Sequence, residues 1–200
     1  MRLVTALGDD RAGRHARDLL GRAGVDVVDL GSGATPIKTR VRAGGATVAR
    51  LDRRGDVAIG PLRTALVDVA DAVLVSDYGR GVADALRDRL GSAVPLVWDP
   101  HPAGSPPPGG SWLATPDQRE AEAMSGVAGR GRMAGIDQAV ALARAWDGVP
   151  VAVTCCREGT VFAATPDVLP MVVPVHPLVG ADSCGAGDAF AVAAVVALAA

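Results

Sequence analysis

The chain has 200 residues, of which 49% are hydrophobic, and a formal net charge of −2. That is one domain's worth of chain with material for a sizeable core, and its mixed, near-neutral charge offers no footing for nucleic acid or an anionic membrane. The longest uninterrupted apolar run, Ala189–Ala200, is too short to span a bilayer. Lys38 is the only lysine among 20 basic residues. In an Ala-, Gly- and Val-rich chain the arginine excess reads as composition rather than as a phosphate-binding patch. Three cysteines in no zinc-like spacing predict thiols in a reducing cytoplasm, with Cys155 and Cys156 buried in the core.

Strand and helix patterns alternate along the chain. Leu3–Leu7 reads as a strand and Gly8-Asp9-Asp10 as a helix start. Ala12–Arg22 reads as an amphipathic helix, Val25–Leu30 as a strand and Gly31-Ser32-Gly33 as a turn. Between Ile37 and Leu51 apolar and polar residues alternate on both sides of Gly44-Gly45, which predicts a hairpin with one polar face. Such a ribbon does not belong in a parallel sheet covered on both faces, so it is expected to stand off the main sheet as a flap.

A second α/β stretch follows, with helices over Leu62–Ala70 and Val82–Leu90 and strands over Ala72–Val75 and Pro95–Trp98. After an irregular Pro/Gly/Ser loop at 102–111, Trp112–Ala114 is a short strand and Thr115-Pro116-Asp117 starts a helix. Ile136–Trp146 is helical, Val151–Thr154 a strand and Val161–Val175 a pair of antiparallel strands. This order predicts a three-layer α/β fold around a mostly parallel sheet. Ligands of such sheets bind beyond the carboxyl ends of the strands. The polar residues there are Asp77, Asp99, Asp117 with Glu120, and Arg157 with Glu158.

The most specific segment is Asp182-Ser183-Cys184-Gly185-Ala186-Gly187-Asp188, which leads into the apolar run. Small residues at 185–187 let backbone N–H groups approach an anion, and the positive end of a following helix would point to the same place. A carboxylate at Asp188 repels that anion unless it takes a proton from a nucleophile. Together these features suggest phosphoryl transfer to a hydroxyl, with the acidic residues after the strands holding phosphate through a divalent metal.

At Asp182–Val195 the chain resembles the ribokinase-like (PfkB) carbohydrate kinases. Lys38-Thr39-Arg40-Val41, Arg50-Leu51-Asp52, Ser76-Asp77-Tyr78-Gly79-Arg80-Gly81, Asp99-Pro100 and Thr115-Pro116-Asp117-Gln118-Arg119-Glu120 occur in the order found in the heptose 7-phosphate kinase domain of bifunctional ADP-heptose synthases. The resemblance implies ATP and Mg²⁺ as cofactors and a sugar phosphate as substrate, most closely D-glycero-β-D-manno-heptose 7-phosphate, converted to the 1,7-bisphosphate. It implies Asp188 as catalytic base, with Gly185, Ala186 and Gly187 stabilising the transferring group. Asp117, Gln118, Arg119, Glu120, Thr154, Arg157 and Gly159 would border the nucleotide, with Glu120 organising the metal. Lys38, Arg40, Asp52, Asp77, Arg80 and Asp99 would lie toward the sugar phosphate. The hairpin at 37–52 would be a lid over the sugar and a surface for a homodimer.

Three departures accompany the resemblance. Asp117 stands where the family has Asn, adding negative charge near ATP, and His101 stands where the heptose branch has Lys. The family's opening strand and sugar-binding loop, and the elements after its catalytic helix, have no counterpart, so the chain is expected to be a partial kinase domain. A catalytically weak binding remnant and a kinase for another sugar are the alternatives, whereas no G-x-G-x-x-G follows the first strand to support a dinucleotide-dependent oxidoreductase. Simpler roles stay open for several residues. Asp117 and Glu120 form a potential capping box, Asp77 a turn, and Lys38, Arg40, Arg42 and Arg50 a solvated hairpin face. His15 is expected on a helix surface, and Trp98 and Trp112 in the core or against the Pro-rich loop.

Overall fold

The computed structural model describes residues 1–44, 46–61, 70–90, 94–176 and 185–200. The helix expected at Leu62–Ala70 lies, apart from its last residue, outside them, as do Gly45, Asp182, Ser183 and Cys184. Contacts divide the chain into two compact units, Met1–Thr64 and Ala65–Ala200.

In the first unit β1 (Arg2–Thr5) and β2 (Asp26–Asp29) pair in parallel, with α1 (Arg11–Arg22) as the crossover. Asp10 caps α1 by accepting from the Gly13 N–H at 2.8 Å. The same carboxylate accepts from the Thr35 N–H at 3.0 Å and its hydroxyl at 2.8 Å, so one side chain ties the helix start to the loop after β3 (Gly31–Gly33). The Gly13 bond, followed by the Thr35 hydroxyl, holds this carboxyl at about 2.

Gly31-Ser32-Gly33 is a strand, not the expected turn, and it pairs antiparallel with β6 (Val57–Ile59). The glycines there serve close approach. A Cβ on Gly31 would stand 2.4 Å from the Leu7 N and O atoms, and one on Gly33 would stand 2.3 Å from the Asp56 carbonyl oxygen.

The hairpin forms as expected from β4 (Ile37–Ala43) and β5 (Ala46–Arg53), with a bulge between Val41 and Arg42. Its register sets Lys38 opposite Asp52, Thr39 opposite Leu51, and Arg40 opposite Arg50. Directly opposed residues share a face, so Lys38, Arg40, Arg50 and Asp52 collect on one face and Thr39, Val41, Ala49 and Leu51 on the other, with Ile37 and Arg53 at its end. Val41 and Leu51 are exposed. His15 is exposed on α1.

The second unit is built on one sheet of order β12-β11-β10-β9-β8-β7. Its parallel strands are β7 (Val73–Ser76), β8 (Leu96–Asp99), β9 (Leu113–Ala114) and β10 (Val151–Thr154). Antiparallel β11 (Thr160–Ala163) and β12 (Met171–Val173) extend it. The helices are α2 (Val82–Leu86), α3 (Gln118–Ser125), α4 (Gly131–Ala145) and α5 (Ala186–Ala199). α2 is shorter than expected, because the chain tightens into a 3-10 turn at Arg87–Arg89. α4 starts a full turn before the expected Ile136.

The apolar runs of these strands are covered on both faces, and alternate side chains belong to different helices. Val151, Val153, Val161 and Ala163 pack with Ala139, Leu142 and Ala143 of α4. Val97, Leu113 and Ala152 pack with Phe190, Ala191, Ala194 and Val195 of α5. The expected three-layer α/β architecture is therefore present in this unit. Trp98 is fully buried under the Arg87 guanidinium, which lies 5.7 Å from its ring centroid and donates to the Pro106 carbonyl of the 102–111 loop. Trp112 is half exposed.

One cysteine departs from expectation. Cys155 is buried, but Cys156 is exposed. The strand ends at Thr154, and the chain turns at once into a 3-10 segment, Cys156–Glu158, with Cys156 at φ 52°. The apolar pattern of the strand does not continue through that turn.

Candidate active site

Parallel register brings the carboxyl ends of the strands side by side. The Asp77 N–H donates to the Asp99 carbonyl at 2.9 Å, and the Thr115 N–H donates to the Trp98 carbonyl at 2.9 Å. The Thr154 N–H donates to the Pro116 carbonyl at 3.1 Å, and Asp117 and Thr154 form a parallel bridge. Four adjacent strands thus deliver Asp77, Asp99, Asp117 and Thr154 to one edge of the sheet.

Asp117 starts α3. Its carboxylate accepts from the N–H groups of Arg119 at 2.7 Å and Glu120 at 2.8 Å, while Glu120 accepts from the Asp117 N–H at 2.8 Å. This is a complete capping box. The local role open from the sequence is thus filled, and the same bonds fix both carboxylates in place.

The acidic residues sense one another. Burial, and then the carboxylates of Asp117, Asp99 and Asp188, push the Glu120 carboxyl up to about 7 against the Asp117 N–H bond. Burial, and then Asp188 and Asp117, push the Asp99 carboxyl up to about 6, although the Thr115 hydroxyl donates to it at 3.0 Å. Burial and the Asp188 carboxylate also raise the Tyr78 phenol. Tyr78 belongs to the Ser76–Gly81 motif, but no role for it was legible in the sequence. Its signal is spatial: the phenol shares the edge with Asp99 and Asp188.

Asp188 reaches this edge from the first turn of α5. Gly185 precedes the helix at φ 82°, in the left-handed region that glycine adopts without strain, and no side chain among the described residues caps the helix. The N–H groups of Ala186, Gly187 and Asp188 lie in the first turn, where an α-helix supplies no carbonyl partners. Amide donors and a carboxylate therefore stand on the same turn.

The other expected site residues are placed differently. Asp77 is buried. Its Oδ1 accepts from the Gly79 N–H at 2.8 Å, as a turn residue would, and its Oδ2 is buried without a hydrogen-bond partner among the described residues. Arg80, Arg119 and Arg157 are exposed. Gln118 is buried, with both amide atoms engaged by Gly131. Thr154 and Gly159 flank the turn after β10. Lys38, Arg40 and Asp52 belong to the first unit, on the charged face of the hairpin, where Asp52 pairs with Arg50 at 2.8 Å.

The raised carboxyl values set the sign of a pH effect. Asp99 and Glu120 hold their protons more tightly in the folded chain than at their ordinary values of 3.8 and 4.5. Their protonated forms therefore stabilise the fold fully below about pH 4, and that contribution is lost as pH rises through about 6 and 7. Thermal unfolding of the ligand-free chain is expected to show a falling midpoint between pH 4 and 8. Glu120→Gln, which keeps the acceptor of the capping box, flattens the upper part of that fall; an unchanged slope in this variant would contradict the assignment.

Residues 1–200 match the description "pfkB family carbohydrate kinase". The chain is 43% identical over 202 residues to the bifunctional protein HldE of Streptomyces coelicolor, covering 96% of this chain and 42% of that protein. It is 32% identical over 213 residues to HldE of Caulobacter sp., covering 98% of this chain and 43% of that protein. The chain thus spans less than half the length of these curated relatives. Among solved structures, ribokinase from Thermotoga maritima superposes with a TM-score of 0.66 at 18% identity, over 99% of this chain and 67% of that one. Fructokinase from Vibrio cholerae, bound to fructose, ADP and calcium ion, superposes with a TM-score of 0.62 at 18% identity, over 94% of this chain and 67% of that one. No helix among the described residues is long and apolar enough to cross a membrane. Its motifs, its sheet and the match along its whole length agree that this chain belongs to the pfkB family of carbohydrate kinases.

Proposed function

We propose that the chain carries the phosphoryl-transfer site of an ATP-dependent sugar phosphate kinase, with heptose 7-phosphate as the substrate class. The observation that carries this reading is the meeting of Asp188 and the first-turn amides of α5 with Asp99, Asp117 and Glu120 at one sheet edge. Asp188 accepts the proton of the sugar hydroxyl as its oxygen bonds to the γ-phosphorus. The bond from that phosphorus to the bridging oxygen breaks, and ADP leaves. The amides of Ala186 and Gly187, at the positive helix end, stabilise charge on the transferring group.

The donor set suits Mg²⁺. Among the described residues no group of three or more potential ligands stands ready to hold a metal ion alone. Mg²⁺ at kinase sites is instead held by one or two carboxylates together with phosphate oxygens and water. Glu120, with Asp99 nearby, fits that requirement: burial and then the neighbouring carboxylates raise its carboxyl, and a cation would offset the repulsion among those carboxylates. When bound, the metal would neutralise phosphate charge. Thr154, Arg157 and Gly159 would border the nucleotide, and Asp77 and Arg80 the sugar phosphate. The exposed apolar hairpin face suits a second copy of the chain.

The heptose assignment is supported by the HldE relatives. The test is ADP release with ATP, Mg²⁺ and a panel of heptose 7-phosphate, ribose and fructose, with phosphorus NMR of the product. Heptose 1,7-bisphosphate is expected; release with another sugar alone would reassign the substrate. A second reading, a binding remnant with weak catalysis, is favoured by Asp117, whose carboxylate adds to the negative charge already at the site. Binding of ATP without release of ADP would select it.

A further inference from the structure

Helix α4 begins without a cap of its own. Arg130 occupies the N-cap position and makes no side-chain cap bond. The first N–H groups of a helix need partners from elsewhere, and here two other segments supply them. Gln118 Oε1 accepts from the Gly131 N–H at 3.0 Å, while its Nε2 donates to the Gly131 carbonyl at 2.7 Å. Glu158 Oε2 accepts from the Arg132 N–H at 2.6 Å, a charge-assisted bond at the positive end of the helix. Arg130 adds a bond from Nη1 to the Gln118 carbonyl at 3.0 Å.

These partners come from two places that matter. Gln118 is buried and directly follows Asp117, inside the capping box with Glu120. Glu158 lies in the turn after β10, which is closed by the Cys155 N–H donating to the Gly159 carbonyl at 2.8 Å. The strand ends that lead into these two segments are joined by the Thr154 N–H, which donates to the Pro116 carbonyl at 3.1 Å.

We infer that Gln118 and Glu158 are positioning residues that fasten the 117–120 segment and the 155–159 turn to the start of α4, and so fix the spacing of the groups that flank the nucleotide. This rests on the proposed ATP site lying between those segments. Neither side chain needs to touch the nucleotide. What Glu158 contributes is an acceptor for Arg132, so an amide at the same position can replace it.

The test compares the wild-type chain with Glu158→Ala and Glu158→Gln by calorimetric titration with ADP and by hydrogen exchange. Glu158→Ala is expected to weaken ADP binding about tenfold, the loss of one charge-assisted hydrogen bond's worth of positioning, and Glu158→Gln to recover most of it. In Glu158→Ala the Cys155 and Gly159 amides should exchange faster, while those of β11 keep wild-type protection and exclude general unfolding. Equal weakening in both variants, or faster exchange confined to the first turn of α4, would overturn the inference. A wild-type chain that binds no ADP would overturn the proposed function instead, and the exchange comparison, which needs no ligand, would still decide whether the fastening exists.

Discussion

Asp188→Asn is expected to lower turnover about a thousandfold, the middle of the range for loss of a positioned general base. Asp188 is exposed in the first turn of α5. Asn therefore fits without disturbing the core, and the amides of Ala186 and Gly187 remain where they are. The carboxylate's attraction to the helix end is lost, a contribution of about 0.3–1 kcal/mol. Its repulsion of Asp99 and Glu120 is lost as well, and the two changes oppose each other. The folded content by circular dichroism should be unchanged while ADP release collapses and ATP binding persists. Turnover within tenfold of wild type would remove Asp188 from the role of base. In the same variant the Glu120 and Asp99 carboxyls should fall toward their ordinary values, since Asp188 contributes to raising both.

Gly159→Ala should have the largest effect on stability. Gly159 sits at φ 94°, ψ −149°, close to a region that essentially only glycine occupies. A Cβ there would also stand 2.1 Å from the Val173 carbonyl oxygen of β12. That neighbour is backbone engaged in the β11–β12 ladder, so it cannot turn aside as a flexible side chain would. Backbone strain of about 1–3 kcal/mol combines with overpacking of similar size. A total loss of about 3 kcal/mol or more is therefore expected in urea unfolding. A loss below about 1 kcal/mol would show that the turn has another conformation available.

What the sequence showed and what it hid follow from the range of the interactions involved. The hairpin was legible because period-two alternation between Ile37 and Leu51 is a local signal. The strands β7, β8 and β10 were legible because sheets covered on both faces need continuous apolar runs. Gly31-Ser32-Gly33 was misread because glycine has two uses, and the nearness of Leu7 and Asp56 is not written beside it. The early start of α4 was hidden for a related reason. Gly131 is a poor helix former, and the bonds that hold it come from Gln118 and Glu158, which are distant in sequence. At the candidate site, the carboxylates were readable as polar residues after strands. Their mutual influence, and the presence of Tyr78 among them, required the sheet to place them.

The alternation of strand faces also determines how α5 is seated. Ala152 is the small residue on the α5 side of β10, between two valines that face α4, and Ala191 is the one buried residue of α5 among those described. Both belong to the same packed cluster. The helix that presents Asp188 therefore rests on small side chains that are buried where it meets the sheet. A methyl group added at either alanine would act like a shim, lifting the helix and tilting its first turn away from the strand ends. The reach of the carboxylate is thus set partly by volume, in the middle of the sheet, far along the chain from the loop that makes the site recognisable.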